Sequence, residues 1–138
     1  MAVTQNFYPT FFQKSLKGTS DTNFDPSGNT LACTMTLFSG SGGDFDPSHS
    51  LSGSLSGALS GSGKPCSVTM SLDSDTLKFS VPNVTWATSP GTFTDAVLST
   101  TTGGHLFMHF DMGATITPSG QFTLVMTSGQ EPRIDLVP

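Results

Sequence analysis

From residue 30 onward, apolar side chains fall on alternate positions. Thr30–Phe38 sets Leu31, Cys33, Met35 and Leu37 against mostly threonines, and Cys66–Leu72 sets Cys66, Val68, Met70 and Leu72 against Ser and Thr. Leu77, Phe79 and Val81 repeat the pattern. Strict alternation is the signature of a strand with one face on a core. Val84–Ala87, Phe93–Thr100, His105–Asp111, Gln121–Thr127 and Arg133–Val137 are further strand candidates. Asp73-Ser74-Asp75 falls between two alternating runs and predicts a tight hairpin connection, while Thr101-Thr102-Gly103-Gly104 and Pro118-Ser119-Gly120 punctuate later pairs. Short strands without interleaved helices predict an all-β fold, an antiparallel β-sandwich or open barrel.

The first 18 residues differ. Pro9 suits a first helical turn, Gly18 suits a C-terminal stop, and Phe12 and Leu16 lie four apart on one face. One short N-terminal helix is predicted, giving a single domain over 1–138: an arm and helix over 1–29 and the β-sandwich over 30–138. Residues 39–64 are different again, with 16 of 26 being Gly or Ser and leucines at 51, 55 and 59. Glycine weakens a helix by up to about 1 kcal/mol per residue relative to Ala, so this segment reads as an extended loop or arm with docking leucines, or as a flexible linker. The tetrapeptide Phe-Asp-Pro-Ser occurs at 24–27 and again at 45–48, a turn former used twice.

Composition narrows the function classes. Ser, Thr and Gly supply 55 of the 138 residues, and charged side chains only 11%. Five Lys/Arg against ten Asp/Glu give a net charge of −5, and the five cations are scattered, which excludes a phosphate-tracking nucleic-acid surface. No stretch approaches the roughly 20 apolar residues of a membrane span. The opening residues lack the cationic and apolar segments of a secretory signal, so the chain is expected to stay where it is made. Few charges and many small hydroxyls suit a surface that lies against another protein, and equally a β domain that simply has few charges. Cys33 and Cys66 both sit on apolar parities, which favours buried thiols over a disulfide.

Candidate chemistry is thin. His105 and His109 would share a strand face with Phe107, and a metal site would need His49 and a carboxylate such as Asp111 as well. Their spacing matches no metal motif, so two surface or interface histidines are expected. Asp21, Asn23 and Asp25 resemble the start of a calcium loop, but Pro26 and Ala32 stand where such a loop needs Gly and Glu. No Gly-x-Ser-x-Gly elbow stands in a strand-to-helix context, and there is no phosphate loop. Glu131 is the one glutamate, which excludes a glutamate pair. The expectation is no enzyme, with no catalytic residue, no cofactor and no metal.

Several words then stand out. The opening Met1-Ala-Val-Thr-Gln-Asn-Phe-Tyr-Pro is followed later by Leu72-Asp-Ser-Asp-Thr-Leu-Lys-Phe, Val84-Thr-Trp86 and Phe93-Thr-Asp-Ala-Val-Leu. His105-Leu-Phe-Met-His-Phe-Asp-Met-Gly, Gly120-Gln-Phe-Thr-Leu and Arg133-Ile-Asp-Leu complete the order. Over about two thirds of the chain this resembles a family of small virion structural proteins of tailed bacteriophages, departing from it in the Ser/Gly-rich 39–64 segment. The resemblance implies a capsid decoration, or cement, protein on the outer face of the major capsid protein shell. It would be made in the bacterial host cytoplasm, with no catalytic residues and with neither nucleic acid nor membrane as partner. A homo-oligomer is expected, a trimer around local symmetry axes. The alternative is a tail, baseplate or fibre component that binds the host surface.

Phe7, Tyr8, Phe11, Phe12 and Phe24 crowd residues 7–24, more aromatic surface than one small helix can hide. Phe7, Tyr8, Phe11 and Phe12 are therefore candidate partner contacts, with capping of one open end of the sandwich as the other reading. Leu51, Leu55 and Leu59 are the candidate contacts of the loop.

Overall fold

The alternating segments form strands where the pattern puts them. The computed structural model describes residues 3–126 and 132–135. The strands are β1 (Thr4–Phe7), β2 (Thr30–Phe38), β3 (Lys64–Asp73), β4 (Thr76–Ser80), β5 (Val84–Trp86), β6 (Phe93–Thr100), β7 (Leu106–Ile116), β8 (Phe122–Leu124) and β9 (Arg133–Asp135), with one helix, α1 (Pro9–Leu16). Seven strands make one antiparallel sheet in the order β1-β7-β6-β2-β3-β4-β9, curled into a half-barrel. The second sheet, β5-β8, contributes Val84, Trp86 and Leu124 to the same core. The fold is thus all-β and antiparallel with one helix. Thr127, Glu131 and the 136–137 end of the last expected strand lie outside the described residues.

Three local features follow from residue chemistry. Helix α1 starts on Pro9 and ends in a Schellman motif: Gly18, at φ +83°, donates to Ser15 O, and Thr19 donates to Lys14 O. The β3–β4 hairpin turns at Ser74-Asp75, with Asp73 opposite Thr76. Pro65 sits inside β3 without costing a ladder bond. The Met70 N–H to Asn29 O bond sets the phase, so the opposed pair Cys33–Cys66 is hydrogen-bonded and the pair Thr34–Pro65 is not. The absent N–H of Pro65 faces the flank that β4, paired only with Thr69–Asp73, does not reach. Both cysteines are buried free thiols.

The helix seats itself on Phe11, which is 2% exposed and stacks on Phe107 at 4.3 Å. Phe12 is half-buried, and Leu16, expected on the same buried face, is 90% exposed. Leu16 therefore takes no part in the contact through which Phe11 seats the helix. Residues 4–7, expected as part of an arm, instead form the edge strand β1, with Phe7 opposite Met108. Phe7, Phe11, Phe12, Phe24, Phe79 and Phe107 form a continuous cluster of edge-on and stacked rings that joins β1, α1, β4 and β7.

The 39–64 segment bonds to β2 and to the start of β7 and covers part of the sheet's outer face. Ser39 N–H bonds Gly57 O, Leu59 N–H bonds Leu37 O, Leu106 N–H bonds Ser50 O and Ser52 N–H bonds Gly104 O. Phe45 and Leu55 pack on Tyr8, Phe38, Val97 and Leu106 in a second, smaller core. Close contact accounts for the glycines: a side chain at Gly42 would collide with the Ser56 carbonyl, and Gly57, at φ +86°, meets the Ser39 carbonyl. Strand β6 is consequently buried on both faces over most of its length.

Both Phe-Asp-Pro-Ser copies adopt one turn. Ser27 N–H and Oγ bond Asp25 Oδ1 at 2.9 and 2.8 Å, and Ser48 N–H and Oγ bond Asp46 Oδ1 at 2.8 and 2.6 Å. Each turn presents its phenylalanine to the sheet, Phe24 to the inner cluster and Phe45 to Tyr8 and His109 on the outer one.

Candidate functional site

The polar residues that looked most like chemistry do not converge. A register shift between Leu98 and Ser99 separates Phe107, in the inner core, from His109, under the outer loop. The expectation that His105, Phe107 and His109 share a face is therefore corrected, and so is the reading of His109 as a surface residue. His109 is 2% exposed, with Nε2 2.8 Å from Asp95 Oδ1. Asn6 Nδ2 lies 3.5 Å from its Nδ1, and Thr94 Oγ1 donates to Asp95 Oδ2. A single tautomer satisfies this chain: Asn6 donates to Nδ1, and Nε2–H donates to Asp95. The chain stitches β1, β7 and β6 together beneath Phe45, out of reach of any substrate. Tyr8 is buried beside it with no partner for its hydroxyl among the described residues, and burial, reinforced by the Asp95 and Asp46 carboxylates, pushes that phenol up to about 12.

His105 belongs to another network. Lys14 Nζ lies 2.9 Å from its Nδ1, and Asp21 Oδ2 lies 3.8 Å from its Nε2. Lys14 also donates to Ser50 O and Oγ. These contacts pin the 48–52 stretch between α1 and the β6–β7 turn. His49 pairs loosely with Asp46 at 4.0 Å, and Asp111 caps Gly113 N–H. Asp21, Asn23 and Asp25 turn to different partners, His105, Ser15 and Ser27. Among the described residues, no three His, Cys, Asp or Glu stand where they could hold a metal ion.

One opening among the described residues is apolar. A groove of about 520 Å³ runs between α1, the Phe24 turn and the β3–β4 hairpin, lined chiefly by Phe12, Phe24, Met70, Leu77 and Phe79. Its polar lining is Ser15 and Asn23, with no charged residue. Leu72 lies opposite Leu77 in the ladder, so it extends the same face, and it is 65% exposed. Leu16 stands one helical turn beyond Phe12. The volume accommodates several apolar side chains.

The expected contact residues divide accordingly. Tyr8 and Phe11 lie wholly inside the chain's own packing, and Phe7 is half-buried against Phe12, Phe79 and Phe107. Phe12 alone of the four lines the groove with part of its surface accessible. Leu55 and Leu59 dock onto the outer and inner cores, and Leu51, bridged to His105, is 42% exposed. Phe24, Met70, Leu72 and Leu77 were not expected as contacts. The available signal was that alternation in β3 continues past the point where the core ends. Comparisons with protein-family models, with curated proteins and with solved structures return no match.

Proposed function

We propose that this chain is a virion structural protein of a tailed bacteriophage, a capsid decoration protein that binds the outer face of the major capsid protein shell. It acts by adding contacts between shell subunits, as a homo-oligomer, with a trimer at local symmetry axes the expected form. The reading is supported by the uncharged apolar groove flanked by exposed Leu72 and Leu16, in a chain whose charged side chains are only 11% of the total. Apolar burial contributes about 25 cal/mol per Å² before association costs, whereas an exposed ion pair adds at most about 1 kcal/mol and is screened by salt. Attachment should therefore persist at high salt and depend on the groove.

The test is occupancy on purified particles after incubation with the added protein, imaged by electron microscopy. Leu72→Ser combined with Leu16→Ser alters exposed positions and should leave folding intact while occupancy falls. Neutralising Lys14 and Lys17 should have the smaller effect. Full occupancy by the leucine variant would place the contact elsewhere, with Leu51 the next surface to test. Label found only on tails would replace decoration with the tail or fibre reading.

A further inference from the structure

Lys64 opens β3 directly opposite Met35, on the same strand parity as buried Cys66 and Val68. It is thus a lysine on the inward-facing row of the half-barrel, at the end of β3 opposite the apolar groove. Met70 is six residues away, about 20 Å along an extended strand. Among the described residues, its ammonium has neither a hydrogen-bond nor an ion-pair partner. The pocket it lines encloses about 180 Å³ and is walled mainly by Ser60, Ser62, Trp86, Thr88 and Ser89, with no Asp or Glu. Lys64 is half-buried with no counter-charge in the pocket, and hydroxyls lining the same pocket can complete an anion's hydrogen-bonding shell around the ammonium.

We propose that this pocket binds a small oxyanion, a carboxylate or phosphate group, and this goes beyond the decoration reading because it uses neither the groove nor its partner. Ser62 Oγ is already held by the Leu37 backbone, and Ser89 Oγ by Pro118 O and Gly91 N–H. The hydroxyls of Ser60 and Thr88, both exposed, have no protein partner among the described residues and line the same pocket as Lys64, free to donate to a bound anion. A neutral sugar fits less well. Trp86 is 3% exposed and its indole N–H donates to Ser62 O at 2.7 Å, so it offers neither a stacking face nor a free donor.

The test is an NMR titration of the ¹⁵N-labelled full chain with sodium acetate and, separately, inorganic phosphate, with ionic strength held constant by chloride. Saturable shifts are expected at amides of residues 60–64 and 87–89. Affinity should fall about tenfold in Lys64→Gln, stay within about threefold in Lys64→Arg and not change in Lys17→Gln, as loss of one charge-assisted contact implies. Saturation by acetate alone assigns a carboxylate, by phosphate alone a phosphate, and by both the shared oxyanion chemistry. Shifts that do not saturate, or wild-type affinity in Lys64→Gln, overturn the proposal. Should Lys64→Gln lose its dispersed spectrum, Thr88→Val takes its place, and unchanged affinity there counts equally against the site.

Discussion

Replacing Phe11 by Ala separates an internal anchor from an external one. Phe11 is 2% exposed, stacked on Phe107 and edge-on to Phe12 at 5.3 Å. Truncating a buried Phe costs about 3–5 kcal/mol, and the loss is smallest where neighbours can collapse into the space. Phe11 borders the open groove, so Phe12 can shift toward the gap, and the lower figure of about 3 kcal/mol applies. Unfolding entropy of roughly 2.1 cal/mol/K per residue gives about 290 cal/mol/K for 138 residues, so the melting temperature should drop by about 10 °C. Leu16→Ala, at a position 90% exposed, should shift it by no more than about 2 °C, corresponding to roughly 0.5 kcal/mol. Calorimetry on both variants, with near-ultraviolet circular dichroism to follow aromatic packing, gives the comparison. A Phe11→Ala protein that melts with the wild type but no longer decorates particles would refute the internal role.

Three further outcomes follow. Burial pushes the Cys33 thiol up to about 12, with Cys66 adding to it, and the Cys66 thiol to about 11, so a thiol reagent at pH 8 should label neither in the folded chain and both after denaturation; rapid labelling of the native protein would contradict the packing. The Ser48 hydroxyl and amide hold the Asp46 carboxyl below the ordinary value, so the turn's stabilisation is present above the unfolded carboxylate pKa and lost as pH falls through the lower folded one. Ser48→Ala should raise the Asp46 titration midpoint seen by NMR, and an unmoved midpoint would remove that cause. His109→Ala strands Asp95 in a site 3% exposed and should destabilise by about 3 kcal/mol or more in chemical denaturation, whereas a loss under about 1 kcal/mol would mean that water replaces the imidazole.

The strands were legible because each presents one face to a single core. Thr30–Phe38 and Cys66–Leu72 place their core residues at every second position, and both formed strands where the pattern placed them. Strand β6 shows the limit. Asp95 and Ser99 are polar and share the parity of Val97, yet both are buried, on the face where Phe45 and Leu55 of the 39–64 segment complete a second core. Nothing local announces a cover that arrives from elsewhere in the chain. The same holds for the Ser/Gly segment, where glycine marked close backbone approach, which composition cannot tell from looseness. At the groove, aromatic crowding over residues 7–24 was visible, but the partition between Phe11 inside and Phe12 at the rim depends on where α1 meets Phe107. Leu72 and Leu77 become neighbours only through hairpin register.

The order of strands has a consequence for how the chain can fold. β3–β4 and β6–β7 are local hairpins that can form early. The central strand β2 instead pairs with β3 on one side and with β6, Cys33 meeting Thr100, on the other. β1, first in the chain, finds its place only against Phe107–Asp111, about a hundred residues later. Such non-local pairings give a high contact order, which slows folding because loop closure must precede the contacts that reward it. During synthesis the N-terminal segment must wait, its phenylalanines exposed, until β7 has emerged. A nascent chain with that much unpaired aromatic surface is open to association with its neighbours, so a low temperature of expression should raise the soluble yield.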